Sequence, residues 1–202
     1  ETDSIYLDHA ATTPVDPDVL RVMAPWFTEY FGNPSSIYQL GQQSRAALDA
    51  ARAQCATVLG CHPSEIVFTS GATESDNLAL SGSLWSWREQ HPGGPAPHLI
   101  TTATEHHAVV HKAVWLQSIG FGLTVVPVSR EGFVDPLEIE RSIRPETALI
   151  SVMYANNETG AIQPIAEIGA MTRERGIPFH TDAVQAAGLL PLRVDDLRVD
   201  ML

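Results

Sequence analysis

Residues 98–128 of this 202-residue chain read HLITTATEHHAVVHKAVWLQSIGFGLTVVPV, and this stretch decides the fold. It predicts a strand over 98–102, a helix over 106–118 and a strand over 123–128, because two short apolar runs flank a segment of helical length. A strand, a helix and a strand in succession make a βαβ unit, whose two strands lie parallel in one sheet. The chain is therefore expected to contain a parallel sheet.

The same alternation extends on both sides of this unit. Further strands are predicted over 66–69, 148–154 and 177–181, and further helices over 16–30, 41–59, 73–89, 136–143 and 164–175. This order predicts an α/β fold in which helices cover both faces of a mostly parallel central sheet. Ligands bind beyond the carboxyl ends of the strands in such sheets, so the candidate site lies in the residues that follow each strand.

The composition argues against several classes of function. The chain has 12 basic and 24 acidic residues and a net charge of −12, which disfavours binding to nucleic acid or to an anionic membrane. No apolar run approaches the ~18 residues of a membrane span, and the first residues lack the features of a signal peptide. Cys55 and Cys61 are too few for a disulfide framework, which indicates a reducing, cytoplasmic environment.

The segment SGATES at 70–75 follows the first predicted strand and favours an anion site. Its small residues let a ligand approach the backbone, and the start of the next helix offers free N–H groups and the positive end of a dipole. The alternative is an ordinary helix cap, formed by Ser70 or Thr73 with Glu74 in the first turn.

The segment that follows the strand over 98–102 is rich in histidine. A zinc site is disfavoured, because His107 and His111 lack the glutamate of the zinc-protease motif between them and no cysteine is near. His106 could instead stack on a ring and move protons, or simply cap the helix. We expect no metal.

Two further strand ends carry polar groups. Asn156 and Asn157 suit a turn, and their amides could also bond a ligand oxygen. Asp182 ends a buried strand, which is costly unless a cation or a donor contacts the carboxylate; capping of the next helix is the alternative. An anion site, a histidine, an amide and an acid are together what a phosphorylated heteroaromatic cofactor requires.

The chain resembles the cysteine desulfurases, which are pyridoxal-phosphate (PLP) enzymes of fold type I in aminotransferase class V. The matching stretches are YLDHAATTP at 6–14, FGNPSS at 31–36, FTSGATESDN at 68–77, TEHH at 104–107, NNETG at 156–160 and HTDAVQ at 180–185. Their order and approximate spacing also match. The resemblance implies the large domain of fold type I, incomplete at its C-terminus.

The resemblance implies how PLP would be held. Ala72 and Thr73 would bind the cofactor phosphate, and Asp182 would keep the pyridinium nitrogen protonated. Asn157 and Gln185 would bond the ring hydroxyl.

The resemblance also implies groups on the substrate side. His106 would stack on the ring and take part in proton transfer, whereas Asn157 and Asn33 would contact the substrate. Residues 1–15 would form an N-terminal arm associated with the small domain, and residues 16–202 would form part of the large PLP-binding domain.

Three functional groups of the family have no counterpart in these residues. The resemblance places the Schiff-base lysine, the nucleophilic cysteine and the carboxylate-binding arginine beyond Leu202, so we expect an N-terminal portion of a longer protein. Lys112, the single lysine, lies in a predicted helix and is no substitute. Cys55 lies on the apolar face of a helix, and Cys61 matches no family motif.

The implied activity is PLP-dependent removal of sulfur from L-cysteine, giving L-alanine and an enzyme persulfide for iron–sulfur cluster assembly or thiolation. The alternatives are a selenocysteine lyase, another class V aminotransferase, or a catalytically silent homologue that lacks the lysine. A homodimer and a sulfur-acceptor protein are the implied partners, without direct contact to nucleic acid or membrane.

Overall fold

A computed structural model describes residues 5–202, so the first four residues of the predicted arm lie outside the described residues. The chain divides after Val67 into two compact units. No helix within residues 5–202 is long and apolar enough to cross a membrane.

The first unit is helical. Its helices are α1 (Pro17–Met23), α2 (Pro25–Thr28) and α3 (Gln39–Leu59), followed by a 3₁₀ turn at Pro63–Glu65. The single helix predicted over 16–30 is wrong: Pro25 begins a new helix there, because proline has no N–H to continue the helical hydrogen bonding. The end predicted for α3 is confirmed, since Gly60 adopts the left-handed conformation at φ 72°.

The strand predicted over 66–69 is also wrong, because this segment is irregular and joins no strand within residues 5–202. Its apolar side chains are not core residues: Val67 is 67% exposed and Phe68 is 47% exposed. A strand is defined by its hydrogen bonds to a neighbouring strand, so apolar character alone was an insufficient signal.

The second unit contains the predicted parallel sheet. Its strands are β1 (His98–Thr102), β2 (Gly122–Val126), β3 (Thr147–Ser151) and β4 (Phe179–His180). All pairings are parallel and the order is β2-β1-β3-β4. In this register Ile100 of β1 lies between Thr124 and Ile150. The other strand and helix predictions for this unit are confirmed to within a few residues at their ends.

Five helices accompany the sheet. They are α4 (Ala72–Gln90), α5 (His107–Ser118), α6 (Pro136–Ser142), α7 (Ile165–Glu174) and α8 (Val194–Leu197). Successive strand residues point to opposite faces, so Leu99 and Leu149 pack with α4 and α5, and Ile100 and Ile150 pack with α6 and α7. Helices therefore cover both faces, as predicted.

Two glycines in helices allow a matched test of this packing. A Cβ on Gly169 in α7 would lie 2.5 Å from the carbonyl oxygen of Leu197, whereas a Cβ on Gly82 in α4 would meet no atom within 4 Å. We expect Gly169→Ala to lower the free energy of unfolding by about 1–3 kcal/mol, because α8 must shift. Gly82→Ala should raise it by up to ~1 kcal/mol, because alanine favours a helix. Denaturant titrations of both variants measure this, and equal effects would contradict the packing.

Candidate functional site

Polar side chains converge beyond the carboxyl ends of β1, β3 and β4. These strands are parallel neighbours, so the segments that follow them lie at the same edge of the sheet. Glu105 and His106 follow β1, the loop that contains Asn157 follows β3, and Asp182 follows β4. The edge therefore brings together side chains that are separated by up to about eighty residues in the sequence.

The amino end of α4 begins without a side-chain cap. Gly71 occupies the capping position, and no side chain accepts a hydrogen bond there, so a cap by Ser70 or Thr73 is not formed. Ser70 instead donates from its backbone N and its Oγ to Glu74 Oε2, at 2.7 and 2.6 Å. These bonds hold the pKa of Glu74 below its usual value. Ala72 and Thr73 form the exposed first turn, the position suited to an anion.

A buried polar contact joins α4 to this edge one turn further along. Asp76 Oδ1 lies 3.5 Å from Nε2 of His180, and His180 Nδ1 lies 2.9 Å from Ser151 Oγ. Burial lowers the pKa of His180 to about 4, so the imidazole is neutral at pH 7. Burial, and next the charge of Asp182, raise the pKa of Asp76 to about 7.

Asp182 is buried directly after β4. Its Oδ1 accepts a hydrogen bond from Val184 N at 3.0 Å, and its backbone oxygen accepts one from Tyr154 N at 2.8 Å. The segment after Asp182, residues 183–188, is a series of turns and not the helix that Asp182 was expected to cap; in it Ala186 N donates to Ala183 O. Asp182 therefore caps a turn with one carboxylate oxygen. Its negative charge adds to the effect of burial, which raises the pKa values of Asp76 and Glu105.

Glu105 is a third buried carboxyl group at this edge. Its Oε1 accepts hydrogen bonds from Thr102 Oγ1 at 2.6 Å and from Met153 N at 3.0 Å, which join β1 to the end of β3. Its Oε2 is buried and makes no hydrogen bond within the described part of the chain. Burial raises the pKa of Glu105 to about 8, so the protonated form predominates at neutral pH.

His106 caps α5 and leaves one ring nitrogen available. Its Nδ1 accepts a hydrogen bond from Ala108 N at 3.2 Å, which places the proton of the neutral ring on Nε2. The ring is exposed, as a stacking or proton-transfer role requires. Within residues 5–202, no three metal-ligating side chains converge; His107 and His111 stack on each other with ring centroids 5.0 Å apart.

The two asparagines have different surroundings. Asn156 is buried and organises the loop: its Oδ1 accepts from Glu158 N and Thr159 N, and its Nδ2 donates to Thr104 O at 2.8 Å. Asn157 is half-buried, and its Nδ2 donates to Glu158 Oε1 at 2.8 Å. The second N–H and the Oδ1 of this amide remain available to a ligand.

The two remaining predicted site residues, and Lys112, which was not expected to act in the site, are located as follows. Gln185 is half-buried in the turn after Asp182. Asn33 belongs to the first unit, where its exposed side chain accepts a hydrogen bond from Ser35 N at 2.9 Å. The ammonium group of Lys112 lies over the Trp115 ring at 4.2 Å, on α5.

The two thiols are free and half-buried. Burial, and next the charge of Glu65, raise the pKa of Cys61, which disfavours the nucleophilic thiolate. Cys55 lies within α3. The environment of Cys61 is therefore not that of a reactive cysteine.

Sequence reasoning missed the buried neighbours of Asp182, namely Asp76, Glu105 and His180. One signal was present for Asp76, because it precedes Leu80 and Leu84 at intervals of four and so falls on the buried face of α4. An acidic residue on an apolar helix face requires a partner, and only the fold identifies it as His180.

Comparison with known proteins assigns the family. The sequence model described as Aminotransferase class-V matches residues 5–202. The chain belongs to the class-V aminotransferases. It is 48% identical to cysteine desulfurase IscS of Methanosarcina thermophila over 202 residues, which is 100% of this chain and 49% of that protein. It is 46% identical to IscS of Dictyoglomus turgidum over 198 residues, 98% of this chain and 49% of that protein.

A solved structure has the same fold. The structure described as SspA in complex with cysteine superposes with a TM-score of 0.92 and 41% identity, over 98% of this chain and 56% of that one. The predicted PLP-dependent fold type I is confirmed, as is the resemblance to the cysteine desulfurases. The chain spans about half the length of the curated relatives it matches.

The buried carboxyl group of Glu105 predicts a pH effect on stability. Its pKa in the folded chain, about 8, exceeds the usual 4.5, so its contribution is complete below pH 4.5 and is lost as the pH rises to 8. Glu105→Gln cannot ionise and keeps an oxygen for Thr102 and Met153. Between pH 5 and 8 the wild type should therefore lose stability that the variant keeps. We expect the free energy of unfolding of Glu105→Gln to rise relative to that of the wild type by ~1 kcal/mol or more over this range.

Denaturant titrations of both proteins at several pH values measure this difference. Glu167→Gln, at an exposed position on α7, is the control and should show no such trend. A constant difference between Glu105→Gln and the wild type would show that Glu105 does not ionise over this range.

Proposed function

We propose that the full-length protein is a PLP-dependent cysteine desulfurase. L-Cysteine and an enzyme thiol would give L-alanine and an enzyme persulfide, with the sulfur atom moving from the substrate to the thiol. The observation that carries the proposal is the buried Asp182 carboxylate at the same edge as the uncapped amino end of α4. The identity to proteins named cysteine desulfurase supports the same conclusion.

The side chains at this edge fit PLP chemically. The first turn of α4 offers amide donors at Ala72 and Thr73 without a competing side-chain cap, as a phosphate requires. Asp182 is an acid in a buried environment, where pairing with a protonated ring nitrogen would offset its desolvation. Gln185 and Asn157 supply amides for the ring hydroxyl. When bound, the cofactor would supply a protonated ring that withdraws electrons from the substrate Cα.

Each residue would then have a distinct task. Asp182 would hold the proton on the ring nitrogen, and His106 would stack on the ring and exchange a proton through Nε2. Asn157 and Asn33 would orient the substrate. The Schiff-base lysine, the nucleophilic cysteine and the carboxylate-binding arginine would come from residues outside these 202.

The organisation of the whole protein is part of the proposal. Residues 1–15 would act as an arm associated with a small domain, and residues 16–202 would belong to the large domain. The protein would work as a homodimer in the cytoplasm and pass its sulfur to an acceptor protein. The two free thiols, Cys55 and Cys61, are consistent with a reducing compartment.

The activity is tested with the full-length protein, PLP and L-cysteine in the presence of dithiothreitol. Equal amounts of alanine and sulfide are expected, and protein freed of PLP should form neither. Faster turnover of L-selenocysteine than of L-cysteine would indicate a selenocysteine lyase. If PLP addition produces no absorbance band and no alanine forms, the protein is a silent homologue.

Asp182 offers a direct test of the ring-nitrogen assignment. We expect Asp182→Asn to lower the rate of alanine formation by about 100-fold or more, because an amide does not hold a proton on the pyridine nitrogen. The matched control is Asp195→Asn at an exposed position in α8, which should retain the wild-type rate. Wild-type activity in the Asp182 variant would contradict the assignment.

A further inference from the structure

The contact between Asp76 and His180 joins the two halves of the proposed cofactor site. Asp76 lies one turn after Ala72, at the end of α4 that would bind the phosphate. His180 lies two residues before Asp182, which would bind the ring nitrogen. Asp76 Oδ1 lies 3.5 Å from His180 Nε2, so this contact connects the element that would bind the phosphate to the element that would bind the ring.

His180 is itself held from the other side. Its Nδ1 lies 2.9 Å from Ser151 Oγ, at the end of β3, so both ring nitrogens have a polar neighbour. The side chains of Asp76 and His180 are 5% and 2% exposed. This orientation leaves the imidazole little freedom to rotate away from α4.

A polar pair is not what core packing alone would favour at this position. Leu80 and Leu84 continue the buried face of α4, and a leucine at position 76 would extend it. Replacing a buried polar pair by apolar residues is often neutral or stabilising. Asp76 Oδ2 is moreover buried without a hydrogen bond in the described part of the chain, which adds a cost. The pair instead fixes the position of α4 relative to β4, because a polar contact restricts distance and angle more narrowly than apolar packing does.

We propose that Asp76 and His180 are positioning residues whose contact sets the distance between the phosphate-binding turn of α4 and the ring-binding carboxylate of Asp182. This inference rests on the proposed function, because it assumes that one PLP molecule occupies both ends. Neither residue touches the cofactor in this assignment. They act by holding two elements at the spacing that the cofactor bridges.

Three probes separate positioning from a general loss of structure. PLP engages both ends of the site, pyridoxal engages only the ring end, and inorganic phosphate engages only the α4 end. A variant with a changed spacing loses affinity for PLP while it retains affinity for each half. A damaged fold loses affinity for all three.

The test measures dissociation constants of the three probes for full-length protein freed of cofactor, by fluorescence or calorimetric titration. We expect Asp76→Ala to weaken PLP binding at least tenfold and to change pyridoxal and phosphate binding less than twofold. Asp76→Asn keeps an oxygen that accepts from His180 Nε2 and should bind PLP within threefold of the wild type. If Asp76→Ala does not fold, the comparison is made between His180→Ala and His180→Gln, which retains a donor.

A double variant tests whether the two residues act through each other. Asp76→Ala combined with His180→Ala should weaken PLP binding no more than the larger single loss. The proposal is overturned if the two losses multiply, if all three probes weaken equally, or if Asp76→Ala binds PLP normally. Failure of the proposed function looks different, because the wild type itself would then show no PLP binding.

Discussion

The cost of burying carboxyl groups at one edge of the sheet governs the rest of this site. Asp76, Glu105 and Asp182 are all buried there. Burial raises the pKa of Asp76 and of Glu105, and the charge of Asp182 adds to both shifts. Like charges in a poorly solvated environment cannot all persist, so protons are taken up until few charges remain. The pKa of Glu105, about 8, exceeds that of Asp76, about 7, so Glu105 is the more readily kept neutral of these two groups.

This constraint determines which ligand charges the edge of the sheet favours. The neutral form of Glu105, which interacts with Asp182, does not compensate the charge of that carboxylate. A cationic ligand ring would supply that compensation, and the dipole of α4 would attract an anion at the other end. The architecture therefore favours a ligand with opposite charges at its two ends. The hydrogen bonds that Glu105 accepts from Thr102 and Met153 hold the ends of β1 and β3 together at this edge.

Much of the second unit could be predicted from sequence, because its strands and helices have short apolar runs and helical periods of distinct length. The prediction of β1 over 98–102 agrees with its observed bounds. The prediction failed where a segment depends on a partner, as for the apolar residues 66–69, and at Pro25, where the helical period continues across a residue that interrupts the helix. The motifs that carry the family resemblance could be recognised from the sequence, because each is a run of consecutive residues whose identity does not depend on contacts in the fold.

The sequence by itself determined the class of fold and the family, and it supplied the proposed site residues such as Asp182 and His106, since periodicity and motif order are properties of the chain alone. Only the tertiary structure decided which groups surround them. The contact of Asp76 with His180 joins residues more than a hundred positions apart, and the burial that shifts their pKa values arises only when α4 packs on the sheet. Desolvation and proximity depend on three-dimensional packing. The period of α4 could place Asp76 on a buried face, but no pattern along the chain could identify its partner or the shift of its pKa.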